Sequence, residues 1–262
     1  MVDAARSAHS LERTLLRRVG EAVADYSLIE EGDRIAVGLS GGKDSFGLLD
    51  VLLRLKARAP VSFDIFAVTV HNGSPNFRSD VLEGWLRKRH VDFHLEKTRI
   101  LEIIQEKKRP GSSYCSMCAR LRRGALYGAV AALGCNRLAL AHHLDDAAET
   151  LMMNVFFSGR LKAMPPKLLA ENGRVSVIRP LIYVPESLMR EYAALRGFPL
   201  IDCGCRLCSA KEHERSQMKA LIEKVAKRHP EVRGSILSAL RTVEPRFLFD
   251  RSLHDFSGED IP

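Results

Sequence analysis

Residues 35–53 read Ile-Ala-Val-Gly-Leu-Ser-Gly-Gly-Lys-Asp-Ser-Phe-Gly-Leu-Leu-Asp-Val-Leu-Leu. The first five are a short, bounded apolar run, the pattern of a strand buried on both faces of a parallel sheet. From Phe46 onward the apolar residues recur at helical spacing. Between them, Ser40-Gly41-Gly42-Lys43-Asp44-Ser45 must turn the chain tightly, and the two glycines allow a close backbone approach to a ligand. A strand, a glycine loop and a helix in this order present backbone N–H groups and the positive end of a helix to an anion. Ser40 and Ser45 add hydroxyl donors, and Lys43 adds a point charge. The common phosphate loop, GxxxxGK followed by Ser or Thr, does not fit. Three residues rather than four separate Gly38 from Gly42, and Asp44 stands where the magnesium-binding hydroxyl belongs. A kinase- or GTPase-type site is therefore disfavoured.

Outward from this stretch the alternation continues. Leu11, Leu15, Leu16, Val19, Ala22 and Val23 share one face of a helix predicted over 11–28, with Ser10 as its N-cap. Strands are expected at Phe63–Val70, Val91–Leu95 and Arg137–Ala141, and helices at Ser79–His90, Arg120–Leu133 and Asp145–Phe157. Strands alternating with helices predict an α/β fold, a doubly wound parallel sheet with helices on both faces. The pattern weakens after Ser158, so composition alone puts a boundary near Gly159. Beyond it a loop and one short strand are expected over 159–180, a helix over 185–196, and a last short strand at Leu200-Ile201. A charged helical stretch then runs from Lys211 to about Arg241, broken at His229-Pro230.

Forty basic against 32 acidic residues leave a net charge of +8, which points to an acidic partner, with nucleic acid foremost. A 46% hydrophobic fraction excludes a disordered or collagen-like chain. No run approaches the ~18 apolar residues of a membrane span. Asp3, Glu12, Glu21 and Asp25 interrupt the N-terminus, against a secretory or mitochondrial leader, so the expected address is the cytoplasm, without membrane association. In that compartment six cysteines read as ligands or catalysts rather than disulfides.

Cys115-Ser116-Met117-Cys118, expected just before a helix, is by itself open between zinc, a redox disulfide and an iron–sulfur cluster. Cys203-Gly204-Cys205-Arg206-Leu207-Cys208 follows nearly ninety residues later. Four thiolates from the two groups suit structural zinc, whereas three with an open position suit a cluster used for chemistry. Cys135, in an apolar connection, reads as packing. Ala141-His142-His143-Leu144-Asp145-Asp146 lies at another strand-to-helix switch, where carboxylates can hold magnesium or cap the helix; both readings stand for Asp145 and Asp146.

These features together resemble the tRNA 2-thiocytidine synthetase family within the PP-loop ATP pyrophosphatase superfamily. The matching stretches are SGGKDS at 40–45, CSMCARLRRGALY at 115–127, LALAHHLDDAAETLMMNVFFSGRLKAMPPKL at 138–168, VIRPLIYVPE at 177–186 and CRLC at 205–208. The likeness spans roughly 11 to 249, and the block around Pro165-Pro166 is its most specific part. The resemblance implies thiolation of C2 of a cytidine in the tRNA anticodon loop, with ATP, Mg²⁺ and a [4Fe–4S] cluster. It implies Cys115, Cys118 and Cys208 as cluster ligands, with the fourth iron open to sulfide. A late Cys203 and a Ser209-Ala210-Lys211 sequence depart from the family pattern, so Cys203 and Cys205 stand as alternatives for the third ligand. Ser40 to Ser45 would hold the phosphates, with His71 and His142 as further nucleotide contacts. Asp44 and Asp146 would hold Mg²⁺. Lys43, Asp44, Asp145 and Asp146 would serve the reaction, together with Arg122, at the position of a catalytic basic residue in the related thiouridine synthetases. The implied partners are tRNA and a sulfur donor such as a cysteine desulfurase, with a homodimer left open. The chain then divides into an N-terminal helical segment at 1–30, a catalytic domain at 31–209 and a helical region at 210–262. Among the basic clusters, Arg87-Lys88-Arg89 reads as a solvated face. Arg120–Arg123 and Lys162–Lys167 read as tRNA contacts.

Overall fold

Alternation of side chains along β1 (Asp33–Gly38) decides how the layers stack. Ile35, Val37 and Leu39 join one apolar cluster, while Ala36, between them, joins another on the opposite face. β2 (Phe63–His71) does the same, with Phe63, Ile65 and Ala67 on the first face and Phe66 and Val68 on the second. Both faces are covered, as the unbroken apolar run at 35–39 requires.

The computed structural model describes residues 2–107, 114–171, 173–201 and 213–257. Besides β1 and β2 the sheet contains β3 (Asp92–Lys97), β4 (Arg137–Ala139), β5 (Lys167–Leu169) and β6 (Ser176–Ile178). The strand order is β3-β2-β1-β4-β6-β5. All pairings are parallel except β5 with β6, which is antiparallel at the edge. The first face packs against α1 (Val2–Asp25), α2 (Lys43–Lys56), α3 (Ser79–Arg87) and α7 (Glu186–Arg196), with Leu15, Phe46, Leu82 and Tyr192 fully buried among them. The second packs against α5 (Tyr114–Ala132), beside which lies the short α4 (Ile100–Glu106). α6 (Leu144–Ser158) carries two further helices on its flank, α8 (His213–Ala226) and α9 (Val232–Arg241).

From β1 the chain passes to β2 and β3 on one side, and later to β4 on the other. The order therefore reverses between β1 and β4, and a doubly wound sheet binds ligands in the crevice at the carboxyl ends of such strands. The glycine loop follows β1 and the His142–Asp146 stretch follows β4, so both motifs reach this crevice.

Four expectations are corrected. Ser10 does not cap α1 but lies inside it, since the helix already runs at Val2; the apolar stripe starts at Leu11 and marks only the packed part. α5 begins at Tyr114, so Cys115 and Cys118 lie within the helix rather than before it. Leu200-Ile201 forms no strand. The Ile201 N–H donates to the carbonyl of Gly41 at 2.9 Å, and the sheet edge of the described residues ends at β5 instead. β4 stops at Ala139, freeing Leu140 and Ala141 to lead into the site.

Candidate active site

The glycine loop is held by its own hydroxyls. Ser45 Oγ donates to the Gly42 carbonyl at 2.9 Å and accepts from the Ser40 N–H at 3.2 Å, while the two hydroxyls lie 3.2 Å apart. Gly41 has φ +90°, and a Cβ there would stand 3.0 Å from Ile201 Cβ and 3.1 Å from its carbonyl oxygen. Only glycine meets both demands without strain. Gly42 is the N-cap of α2, and among the described residues no side chain caps that end. The first N–H groups of α2, which have no partner within the helix, are thus left for a ligand, and the helix dipole adds positive potential there.

Against this helix end lies a cavity of about 380 Å³ in which three cations meet four carboxylates. Lys43 Nζ donates to Asp44 Oδ2 at 2.9 Å and to Glu186 Oε1 at 3.2 Å. Lys219 Nζ reaches Glu186 Oε2 at 2.6 Å. Arg215 donates from Nε to Glu149 at 2.6 Å and from Nη2 to Asp146 Oδ1. Burial opposes the Lys43 charge, but Asp44 and Glu186 outweigh it and hold its pKa above the ordinary value. Burial likewise opposes the Glu186 charge, yet hydrogen bonds from Lys219 and Lys43 pull its pKa down to about 2. Asp44 Oδ1 is buried and has no hydrogen-bond partner among the described residues.

The two aspartates of the His142–Asp146 stretch part company. Asp146 forms a capping box with His143 at the start of α6: Oδ2 accepts from the His143 N–H at 2.8 Å, and the Asp146 N–H donates to His143 Nδ1 at 3.3 Å. It also lines the cavity, so capping and site membership coincide. Asp145 does not line it. Its Oδ2 accepts from the Glu186 N–H at 2.6 Å, capping α7, and its Oδ1 pairs with Arg233 of α9 at 2.5 Å. Both oxygens are engaged in bracing helices, which sets Asp145 apart from Asp146.

On the other side of the loop a second cavity, of about 230 Å³, opens between Leu39, Ser40, Val70, Leu140 and His142, under Arg122, Arg123 and Tyr127 of α5. Apolar walls with a few convergent polar groups suit a planar organic ligand. His142 is held neutral here: burial, then Arg179, Arg215 and His143, overcome Asp146 and push its pKa down to about 4. Its Nδ1 is buried with no partner among the described residues.

His71 lines neither cavity. Its Nδ1 accepts from the Gly73 N–H at 3.0 Å and its ring meets Phe77 edge-on, so it organises its own turn. Cys118 packs beside Val70, Ile100 and Ile104, one turn of α5 before Arg122. Cys115 stands one turn earlier in the same helix, its side chain outside the described residues, as are Cys203, Cys205 and Cys208. The chain leaves the described structure at Ile201, bonded to the loop, and re-enters it at His213, two residues before Arg215. Cys135 is buried in the Ala36–Leu138 cluster. Among the described residues no three His, Cys, Asp or Glu side chains group as metal ligands, and no helix is long and apolar enough to cross a membrane. Of the basic clusters, Arg89 stacks on Trp85 at 3.7 Å, whereas Arg122 and Arg123 reach the second cavity.

Four site residues are not anticipated by sequence reading: Glu149, Glu186, Arg215 and Lys219. Glu149 lies one helical turn after Asp145 and could be found by i, i+4 spacing. The α8 cations carry no local signal, since their partners lie 33 or more residues away.

The PP-loop domain family matches residues 11–202. The chain is 52% identical over 244 residues to tRNA-cytidine(32) 2-sulfurtransferase of Geobacter sulfurreducens, covering 93% of this chain and 94% of that protein. It is also 52% identical over 234 residues to the protein of the same name from Geotalea uraniireducens, covering 89% and 93%. Among solved structures, the U34-tRNA thiolase NcsA from Methanococcus maripaludis, determined with its [4Fe-4S] cluster, has the same fold. Its TM-score is 0.69 at 22% identity, over 91% of this chain and 81% of that one. A PP-loop domain over most of the chain, with half the residues shared nearly end to end with curated sulfurtransferases, makes this protein a transferase enzyme of the tRNA 2-thiocytidine synthetase family, within the PP-loop ATP pyrophosphatases.

Proposed function

We propose that this enzyme replaces the C2 oxygen of cytidine 32 in tRNA with sulfur at the expense of ATP. An amide-like oxygen on a pyrimidine is a very poor leaving group. Attack of that oxygen on the α-phosphorus breaks the α–β bond and releases pyrophosphate, leaving an adenylated base. Sulfide then attacks C2, the C–O bond breaks, and AMP departs with the oxygen.

The site supplies what the first step needs. Ser40–Ser45 and the uncapped start of α2 aim preorganised donors at charge that grows on pyrophosphate, the type of interaction whose loss costs on the order of 10²–10³ in rate. Lys43 adds its fixed positive charge. Asp44 and Asp146, hard oxygen donors lining one cavity, would hold Mg²⁺, and Oδ1 of Asp44, buried and without a partner among the described residues, suits a cation. The ion would neutralise phosphate charge there. The second cavity would take the nucleoside or the target base, with neutral His142 as a hydrogen-bonding group and Arg122 as a cation at its wall.

A cluster held by Cys115, Cys118 and a late cysteine, Cys208 or its neighbours Cys203 and Cys205, would offer sulfide an open iron. The chain's own contribution is to set residues 115 and 118 about one turn apart on α5, and to carry Arg122 one turn further along the same helix. The basic surplus suits tRNA phosphates. A cysteine desulfurase is the natural source of sulfur in the expected cytoplasmic setting.

The observation that carries this reading is that Ser40 of the glycine loop and Arg122 of the CxxC helix line the same cavity. Protein purified without oxygen should bind iron and, given ATP, sulfide and tRNA from cells lacking the gene, yield 2-thiocytidine at position 32 by nucleoside mass spectrometry. A thiolated uridine instead, or a colourless protein with stoichiometric zinc, would overturn it.

A further inference from the structure

Helix α8 belongs to no predicted motif, yet it places two cations in the carboxylate cavity. Arg215 is forked between Asp146 and Glu149, and Lys219 shares Glu186 with Lys43. The Glu149 side chain is only 7% exposed, and Nε of Arg215 lies 2.6 Å from it. A guanidinium has further N–H groups than that bond uses, held in a rigid plane suited to phosphate oxygens.

We infer that Arg215 and Lys219 of α8 bind the β- and γ-phosphates, so that the C-terminal helical region completes the nucleotide site. This rests on the ATP reading above. Arg215 Nη2 would give up Asp146 Oδ1 to a divalent cation held there with Asp44. The Nε–Glu149 bond keeps the guanidinium in place while its outer N–H groups turn to a phosphate oxygen. Glu149 is then a positioning residue. Lys219, bound to Glu186 opposite Lys43, lets two ammonium groups flank the same anion. The four carboxylates hold these cations in readiness at the uncapped end of α2. Because α8 directly follows the stretch carrying Cys203, Cys205 and Cys208, phosphate binding also anchors the chain just past those thiols.

The test is calorimetric binding of ATP, AMP and pyrophosphate, each with Mg²⁺, to the full chain and to Arg215→Gln, Lys219→Gln and Glu149→Gln. A lost charge-assisted contact should weaken ATP and pyrophosphate about tenfold or more in Arg215→Gln, and about threefold in Lys219→Gln, leaving AMP within twofold. Glu149→Gln should show the same selectivity with a smaller loss. Equal weakening of all three ligands, or of none, overturns the inference while the ATP reading survives. An unaltered chain that binds neither ATP nor pyrophosphate overturns both. If Arg215→Gln fails to fold, as judged by circular dichroism, the other two variants decide: no pyrophosphate-selective loss in either rejects the role of α8.

Discussion

Two charged clusters join α2 to α7, and their surroundings are opposite. Around Asp50 every carboxylate oxygen is used: Tyr192 donates to Oδ2 at 2.5 Å, Arg54 to Oδ2 at 3.1 Å and Arg196 to Oδ1 at 3.1 Å. Arg54 in turn holds Glu12 of α1 at 2.6 Å. Burial opposes the Asp50 charge, yet Tyr192, Arg196 and Arg54 together keep its pKa below the ordinary value. Around Asp44, nearer the start of the same helix, the cluster borders open space, and one buried oxygen lacks a partner among the described residues. A closed cluster ties elements together, while an open one beside an uncapped helix end is built for something that arrives. Charge and burial alone would not separate the two; the state of the last oxygen does.

The two aspartates should respond differently to substitution. Asp44→Asn should lower turnover by about 10²–10³ in steady-state assays, while urea denaturation moves by no more than about 1 kcal/mol. Asp50→Ala should do the reverse. Breaking a buried pair costs about 3–5 kcal/mol, read as a lower urea midpoint, with turnover of the folded protein within about threefold. A large rate loss in Asp50→Ala at low temperature would show that the closed cluster also serves the reaction.

Smaller effects are expected at Gly41 and His142. Gly41→Ala forces a side chain into a left-handed backbone against Ile201, which should cost roughly 2 kcal/mol and weaken ATP binding through the displaced loop. The other effect concerns pH. His142 has a folded pKa of about 4 against 6.5 unfolded, so the unfolded chain takes up the proton first as pH falls. Stability is therefore highest above about 6.5 and falls as pH drops from there towards 4, the loss at pH 5.5 being on the order of 1 kcal/mol. His142→Gln should flatten that part of the stability profile. An unchanged slope would mean that His142 is not held neutral.

Much of the fold is legible because its signals are local. A bounded apolar run at 35–39, glycines at 41 and 42 and helical spacing from Phe46 each act within a few residues, and each appears in the structure as read. Cys135 too is recognisable as packing from its apolar neighbours alone. The antiparallel β5 is not legible, since a three-residue edge strand has no period to detect. Leu200-Ile201 misleads for the same reason: two apolar residues are enough to suggest a strand, but Ile201 is apolar because it packs against the Gly41 turn. Asp145 and Asp146 differ by one residue, and helix geometry turns one towards the cavity and the other towards α7 and α9. Arg215 and Lys219 find their partners only through the packing of α8 on α6, which no local pattern encodes.

The proposed reaction splits ATP between its α and β phosphates to activate a tRNA base. Its most direct measurement is the nucleotide product of the anaerobic enzyme working on unmodified tRNA with sulfide. AMP and pyrophosphate should appear together, one of each for every 2-thiocytidine formed. Release of ADP and phosphate, or thiolation that proceeds without ATP, would contradict it.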